Sequence, residues 1–308
     1  MNIGKINIDI TKATSCRDNL IDPNLKLILS KYCDSLGLVI TTLAVPISFM
    51  AHGLRKSKAF HFSLQDADKV LMASDGFAEN DPKKSAEELV SYFENLIKTS
   101  HEKVVENAIE EIELLVANVP ILQESYNNLG LNTLVNCWTL FEAISKDIWI
   151  YSLNNFPKEF VFNLLKNRRD FDQEIEGITG KNISIGLLAK YDFDISKNIG
   201  DLLVSKYDFT TVRGIKNSYK DLFELKDADL AMLADKNLTQ LEITRHLFVH
   251  NAGIIDSDYL KRSAKQDEII NTKIKLTSNE ASDLINASIK GIHELACLIE
   301  NKINKGLI

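Results

Sequence analysis

An all-α architecture is what this sequence predicts, a C-terminal helical bundle preceded by a second helical region, and three observations carry that expectation. Apolar residues recur at intervals of three and four over most of the chain. The pairs Asp22-Pro23, Asp81-Pro82 and Phe156-Pro157 stand ahead of such stripes, and proline is favoured at the first helical position. Only Ile270 to Leu276 alternates, as a short strand or an extended loop would.

Asp22-Pro23 opens a first long helix with the stripe Leu25, Ile28, Leu29, Tyr32, Leu36 and Val39. From His52 to Gly76 the signals are short, with Ser63 capping a brief helix through Leu71. Asp81-Pro82, or the capping box Ser85 to Glu88, starts a helix carrying Leu89, Phe93, Leu96, Ile97, Val104, Val105, Ile109 and Ile112, which ends near Ala117, before Pro120. After Gly130, Asn132 caps a helix with the stripe Leu134, Trp138, Phe141 and Ile148, and Glu142 lies beside it. Phe156-Pro157 starts the next, through Phe160, Leu164 and Leu165. Ser196 and Thr210 or Thr211 cap two shorter ones, and Thr239 caps the helix of Arg245, which breaks at Asn251-Ala252-Gly253. Thr277 and Glu280 form a capping box for the last helix, through Leu284, Ile292, Leu295 and Ile299.

A chain of 308 residues exceeds the usual single core, so two domains are expected, residues 1–128 and 129–308. With 45% hydrophobic and 26% charged residues, and few prolines and glycines, it reads as a compact globular chain. The net charge of −7 provides no global attraction to nucleic acid, so an RNA contact requires a local basic patch. Cys16, Cys33, Cys137 and Cys297 have neither zinc-ribbon nor paired spacing, and read as four buried thiols in a reducing compartment. The first residues lack a signal-peptide core, and Leu25 to Met50, interrupted by Lys26, Lys31, Asp34 and Pro46, does not read as a membrane span. A cytoplasmic protein without membrane contact is expected.

The chemistry gathers in Arg245-His246-Leu247-Phe248-Val249-His250-Asn251, where three basic side chains crowd into one and a half turns just before the helix stops. Arg245, four intervening residues and His250, with the polar His246 directly after the arginine, resemble the Arg-x(4–6)-His motif of the HEPN ribonuclease family. The Trp138-Thr139-Leu140-Phe141-Glu142 helix, the short helices from Ile199 to Phe223, and Gly253 with Tyr259 downstream resemble it as well, so the likeness covers about residues 130 to 305. It implies a HEPN-like bundle, usually a homodimer, whose paired motifs cleave RNA without a metal or other cofactor. A toxin or antiviral-defence effector, with an antitoxin or other regulatory protein as partner, fits that reading. In the implied reaction a ribose 2′-hydroxyl attacks the adjacent phosphate, His250 moves a proton and Arg245 holds the phosphate.

His250 falls in the last turn of its helix, where the dipole favours imidazolium. Residues five apart on an ideal helix differ by about 140° in direction, so Arg245 and His250 do not share a face. Either the helix loosens at His250 or a second copy supplies the complementary motif. His246 and His250, four apart, have the spacing of zinc-protease helices. Leu247 stands where that motif needs glutamate, and no third ligand follows, so no metal is expected. Glu142 either orients Arg245, His246 or a substrate hydroxyl or is simply exposed; Asn251 bonds phosphate or caps the helix; Tyr259 stacks on a base or packs in the core. Lys261 and Arg262, with Lys265, Lys273 and Lys275, form either an RNA-binding patch or a solvated loop. His52, His61, His101 and His293 read as structural. The alternative to an enzyme is a catalytically inactive HEPN-like module that binds RNA, a nucleotide or a protein. Residues 1 to about 125, read as a regulatory or partner-binding region, resemble no known family.

Overall fold

In a computed structural model the chain is described over residues 8–76, 107–166, 185–263, 265 and 267–306. Helices make up 78% of the interpretable residues, and no strand occurs among them, so the protein is all-α. The helices are α1 (Ile10–Asn19), α2 (Pro23–Gly76), α3 (107–118 in its described part), α4 (Pro120–Asn155), α5 (Pro157–Lys166), α6 (Ile185–Ala189), α7 (Ile199–Leu203), α8 (Val212–Phe223), α9 (Lys236–Asn251), α10 (Ser257–Arg262) and α11 (Ser278–Gly306). One-turn 3₁₀ helices lie at Val204–Lys206 and Ala231–Ala234.

Several starts fall where the sequence puts them, because the capping chemistry is local. The Asp22 carboxylate accepts the backbone N–H groups of Asn24 and Leu25, both at 2.9 Å. Thr211 caps α8 by accepting from the N–H of Gly214 at 2.9 Å. At the head of α11 the Thr277 N–H donates to Glu280 at 2.7 Å and the Glu280 N–H donates back to the Thr277 hydroxyl at 3.2 Å, a closed capping box.

Four expectations are corrected. Helix α2 runs unbroken through Pro46 and His52 to Gly76, where short elements were expected. Asn132 caps nothing, because α4 starts at Pro120 and passes through Gly130, whose low helix propensity is overridden by burial with Leu131 and Leu134. Ser196 instead bonds Asp194, and Asn198 precedes α7 without a side-chain cap. The helix of Arg245 starts one turn before Thr239, at Asp235, whose carboxylate accepts from the N–H of Asn237 at 2.8 Å. Ile270 to Leu276 is an extended loop with one bridge, Ile254 to Lys273. The Asp81-Pro82 start and the Ser85 box lie outside the described residues.

The chain divides into two compact units, one of residues 1–5 and 41–129, the other of residues 6–40 and 130–308. Residues 6–40 therefore belong with the C-terminal unit, whereas the sequence reading put them in the N-terminal region. Apolar burial explains the difference: Leu20, Leu25, Leu29, Tyr32 and Leu36 are buried there. A buried glutamate fixes the entry of the chain. The Glu300 carboxylate of α11, 8% exposed, accepts the N–H groups of Ile21 at 2.6 Å and Asp22 at 2.7 Å, while Asp22 accepts the Tyr151 hydroxyl at 2.7 Å. The segment Pro23–Pro46, which did not read as a span, is long and apolar enough to cross a membrane by length and composition. Its charges interrupt only the first half.

The core of the larger unit forms where α4, α8, α9 and α11 meet, around fully buried Trp138, Phe141, Ile148, Trp149 and Tyr219. Two of the buried polar tips are satisfied: the Trp149 indole donates to the Ser218 carbonyl at 3.0 Å and the Tyr219 hydroxyl to the Ser145 carbonyl at 2.6 Å. Gly291 lets α11 come close, since a Cβ there would lie 3.0 Å from the Phe141 ring. Cys33 and Cys137 are buried, as expected, but Cys297 is only half-buried.

Glu300→Ala is expected to lower stability by about 2 kcal/mol, since two backbone donors lose their acceptor, and Glu300→Gln by less because one amide oxygen still accepts. Urea denaturation reads the difference. An unchanged midpoint for the alanine variant would show that this carboxylate does not hold the N-terminal segment.

Candidate active site at the end of helix α9

Burial sets how α9 is turned about its axis. Leu238, Leu241, Glu242, Ile243, Thr244 and Leu247 face inward, which leaves His246, Val249, His250 and Asn251 exposed and Arg245 half-buried between the faces. The helix keeps its form through Asn251 and does not loosen at His250. It ends when Ala252 turns left-handed at φ 52° and Gly253 follows at φ 78°, both N–H groups reaching the Leu247 carbonyl. A Cβ at Gly253 would meet Phe248, Ile274 and Leu131, and the Gly253 carbonyl accepts from the N–H of Ile274 at 2.9 Å.

His246 and His250 come together on the exposed face, ring centroids 4.5 Å apart and planes inclined at 44°. Arg245 departs from them. Its Nε is buried without a hydrogen-bond partner among the described residues, and its charge acts on Glu142 of α4. Burial raises the Glu142 carboxyl above its ordinary range, Arg245 pulls it down, and Asp208 adds to the rise. Glu142 is thus a half-buried neighbour of Arg245 rather than a simply exposed residue.

Four more of the sequence-selected residues, Asn251, Tyr259, Arg262 and Lys265, are occupied by the fold. Asn251 donates to Asp256 at 2.7 Å, and Asp256 also caps α10 by accepting from the N–H of Tyr259 at 2.7 Å, so the asparagine latches the end of α9 to the start of α10. Tyr259 is 2% exposed and its hydroxyl accepts from Gln240 at 3.2 Å; burial raises it well above the usual phenol range, and a ring so enclosed cannot stack on a base. Arg262 is no free cation: it pairs with Glu242 at 2.8 Å and with Asp258 at 3.4 Å. Lys265 pairs with Glu280 at 2.6 Å. Lys261, Lys273 and Lys275 remain at the surface.

Glu242 is the residue that sequence reasoning missed. Only 8% exposed, it accepts the first N–H of α8, from Val212, at 2.7 Å and the Arg262 guanidinium. Its signal was an acidic residue at a position where the α9 stripe is otherwise apolar. A cavity of about 240 Å³ lies at the far end of α9, lined by Met232, Asp235, Ala287, Lys290, Gly291 and Glu294. Ten residues of helix, about 15 Å, separate it from Arg245. No group of three or more metal-ligating side chains occurs among the described residues. No protein-family model matches the chain, and no curated protein or solved structure is significantly similar to it.

Arg262→Ala is expected to cost about 1–2 kcal/mol, discounted for partial exposure, because it leaves the Glu242 carboxylate with one donor. Thermal or urea denaturation measures it; loss of RNA affinity at unchanged stability would return Arg262 to the surface patch. For Glu142 the folded value lies above the unfolded one, so its contribution is fully present below the unfolded value of about 4.3 and is lost as pH rises through the folded value. Glu142→Gln should therefore gain stability relative to the parent as pH is raised from 4 to 7. A relative loss over that window would mean that attraction to Arg245 outweighs burial.

Proposed function

We propose that this protein is a metal-independent endoribonuclease of the HEPN type, cutting RNA by attack of a ribose 2′-hydroxyl on the adjacent phosphate, as a toxin or antiviral-defence effector. The observation that carries the reading is the end of α9, where exposed imidazoles and an arginine whose desolvated Nε has no partner among the described residues lie within six residues. His250 relays the proton from the 2′-oxygen or to the departing 5′-oxygen, and exposure gives it access to substrate. Arg245 supplies a permanent cation and a planar fork for phosphate oxygens, with Glu142 orienting it and His246 beside the reacting histidine. Because α9 stays regular, Arg245 and His250 diverge by about 140°, and a second copy of the motif across a two-fold axis completes the site.

The same divergence favours a second reading, a catalytically silent module that binds RNA, a nucleotide or a protein through this surface. Incubation of the purified protein with total RNA in EDTA separates the two. Cleavage that survives chelation, leaves 2′,3′-cyclic phosphate ends and falls about 100-fold or more in Arg245→Ala and in His250→Ala is the expected result. Intact RNA, or cleavage indifferent to both substitutions, sinks the enzyme reading.

A further inference from the structure

We propose that His246 and His250 form a bidentate site for an exchangeable transition-metal cation of the Zn(II) or Ni(II) class, and that an ion held there silences His250. Four residues on a regular helix bring two side chains to one face, one turn apart, and α9 is regular through both. The rings lie with centroids 4.5 Å apart and are tilted rather than parallel. Two metal–nitrogen bonds of about 2.0–2.1 Å meeting at a tetrahedral angle hold the two nitrogens roughly 3.3 Å apart, a separation that side-chain rotation of two histidines one helical turn apart can reach without moving the backbone. Imidazole suits these cations among the divalent metals.

Three features favour a cation here. Both rings are exposed, so neither has to leave a core. His250 lies in the last turn of α9, where the carbonyl end of the helix attracts positive charge. The neighbouring permanent cation, Arg245, is half-buried and interacts with Glu142 on α4. With only two protein ligands the other coordination positions fall to water, which distinguishes the site from closed four-ligand structural zinc and makes the ion removable by chelators. An ion on the His250 ring occupies a nitrogen that proton transfer needs. This inhibitory consequence rests on the ribonuclease reading; the binding itself does not.

Calorimetric titration of the full chain with ZnCl₂ is expected to show one site per chain, weakened about tenfold or more by His246→Ala and equally by His250→Ala, and unaffected at the exposed control His52→Ala. Both target positions are solvent-facing, and circular dichroism checks that the variants remain folded. Absence of binding at a large excess of ZnCl₂, or binding indifferent to His246→Ala, overturns the site. RNA cleavage is then compared in EDTA and in excess ZnCl₂: suppression by zinc supports the silencing, and undiminished cleavage by zinc-bound protein overturns it. RNA left intact in EDTA overturns the ribonuclease reading together with its inhibitory consequence, while the titration still decides the site.

Discussion

The turn of α9 about its own axis is the constraint on which the candidate site depends, and the buried carboxylate of Glu242 helps to hold it. Apolar burial of Leu238, Leu241 and Leu247 would tolerate some rotation, because dispersion and hydrophobic contact have little directional preference. A carboxylate in the core does not tolerate it. Glu242 must keep both the first N–H of α8 and the Arg262 guanidinium, since losing either strands charge away from water. With that residue fixed inward, the helix period puts His246 and His250 in solvent and Arg245 at the boundary with α4. The hydrogen bond between Asn251 and Asp256 and the left-handed turn at Ala252 and Gly253 then prevent the last turn from unwinding.

The all-α class was legible because it follows from periodicity and local capping. Asp22, Thr211 and the Thr277–Glu280 box act over three residues, and each starts its helix as read. What was not legible came from long-range packing. Gly130 and Asn132 look like a helix boundary, yet α4 runs through them because Leu131 and Leu134 on either side are buried. The capture of residues 6–40 depends on Glu300, some 280 positions away, accepting the N–H groups of Ile21 and Asp22. No local window contains such a pairing.

The candidate site divides in the same way. That His246 and His250 share a face follows from their spacing, and their ring contact bears it out. Arg245 and His250 diverge as the helix period requires. Partners could not be read: Tyr259 and Arg262 look available in sequence because nothing there reveals Gln240 beneath one or Glu242 beneath the other. Two of the five residues read as a basic surface are neutralised in place, Arg262 by two carboxylates and Lys265 by Glu280.

That neutralisation sharpens what the acidic chain can offer a polyanion. Counterion release from phosphate scales with the number of free cations, and a pair already formed with Glu242 or Glu280 releases little. Around the end of α9 this leaves Lys261 and Lys275 at the surface, together with the boundary cation Arg245. Among the described residues, a single copy therefore presents a weak electrostatic footprint for RNA around the end of α9. On the proposed reading, a two-fold pairing of motifs does more than bring an arginine opposite a histidine: it doubles the cationic surface facing one substrate. On that reading the geometric and electrostatic shortfalls of the isolated helix end have the same remedy, since one symmetric partner would meet each and no local rearrangement of α9 would meet either.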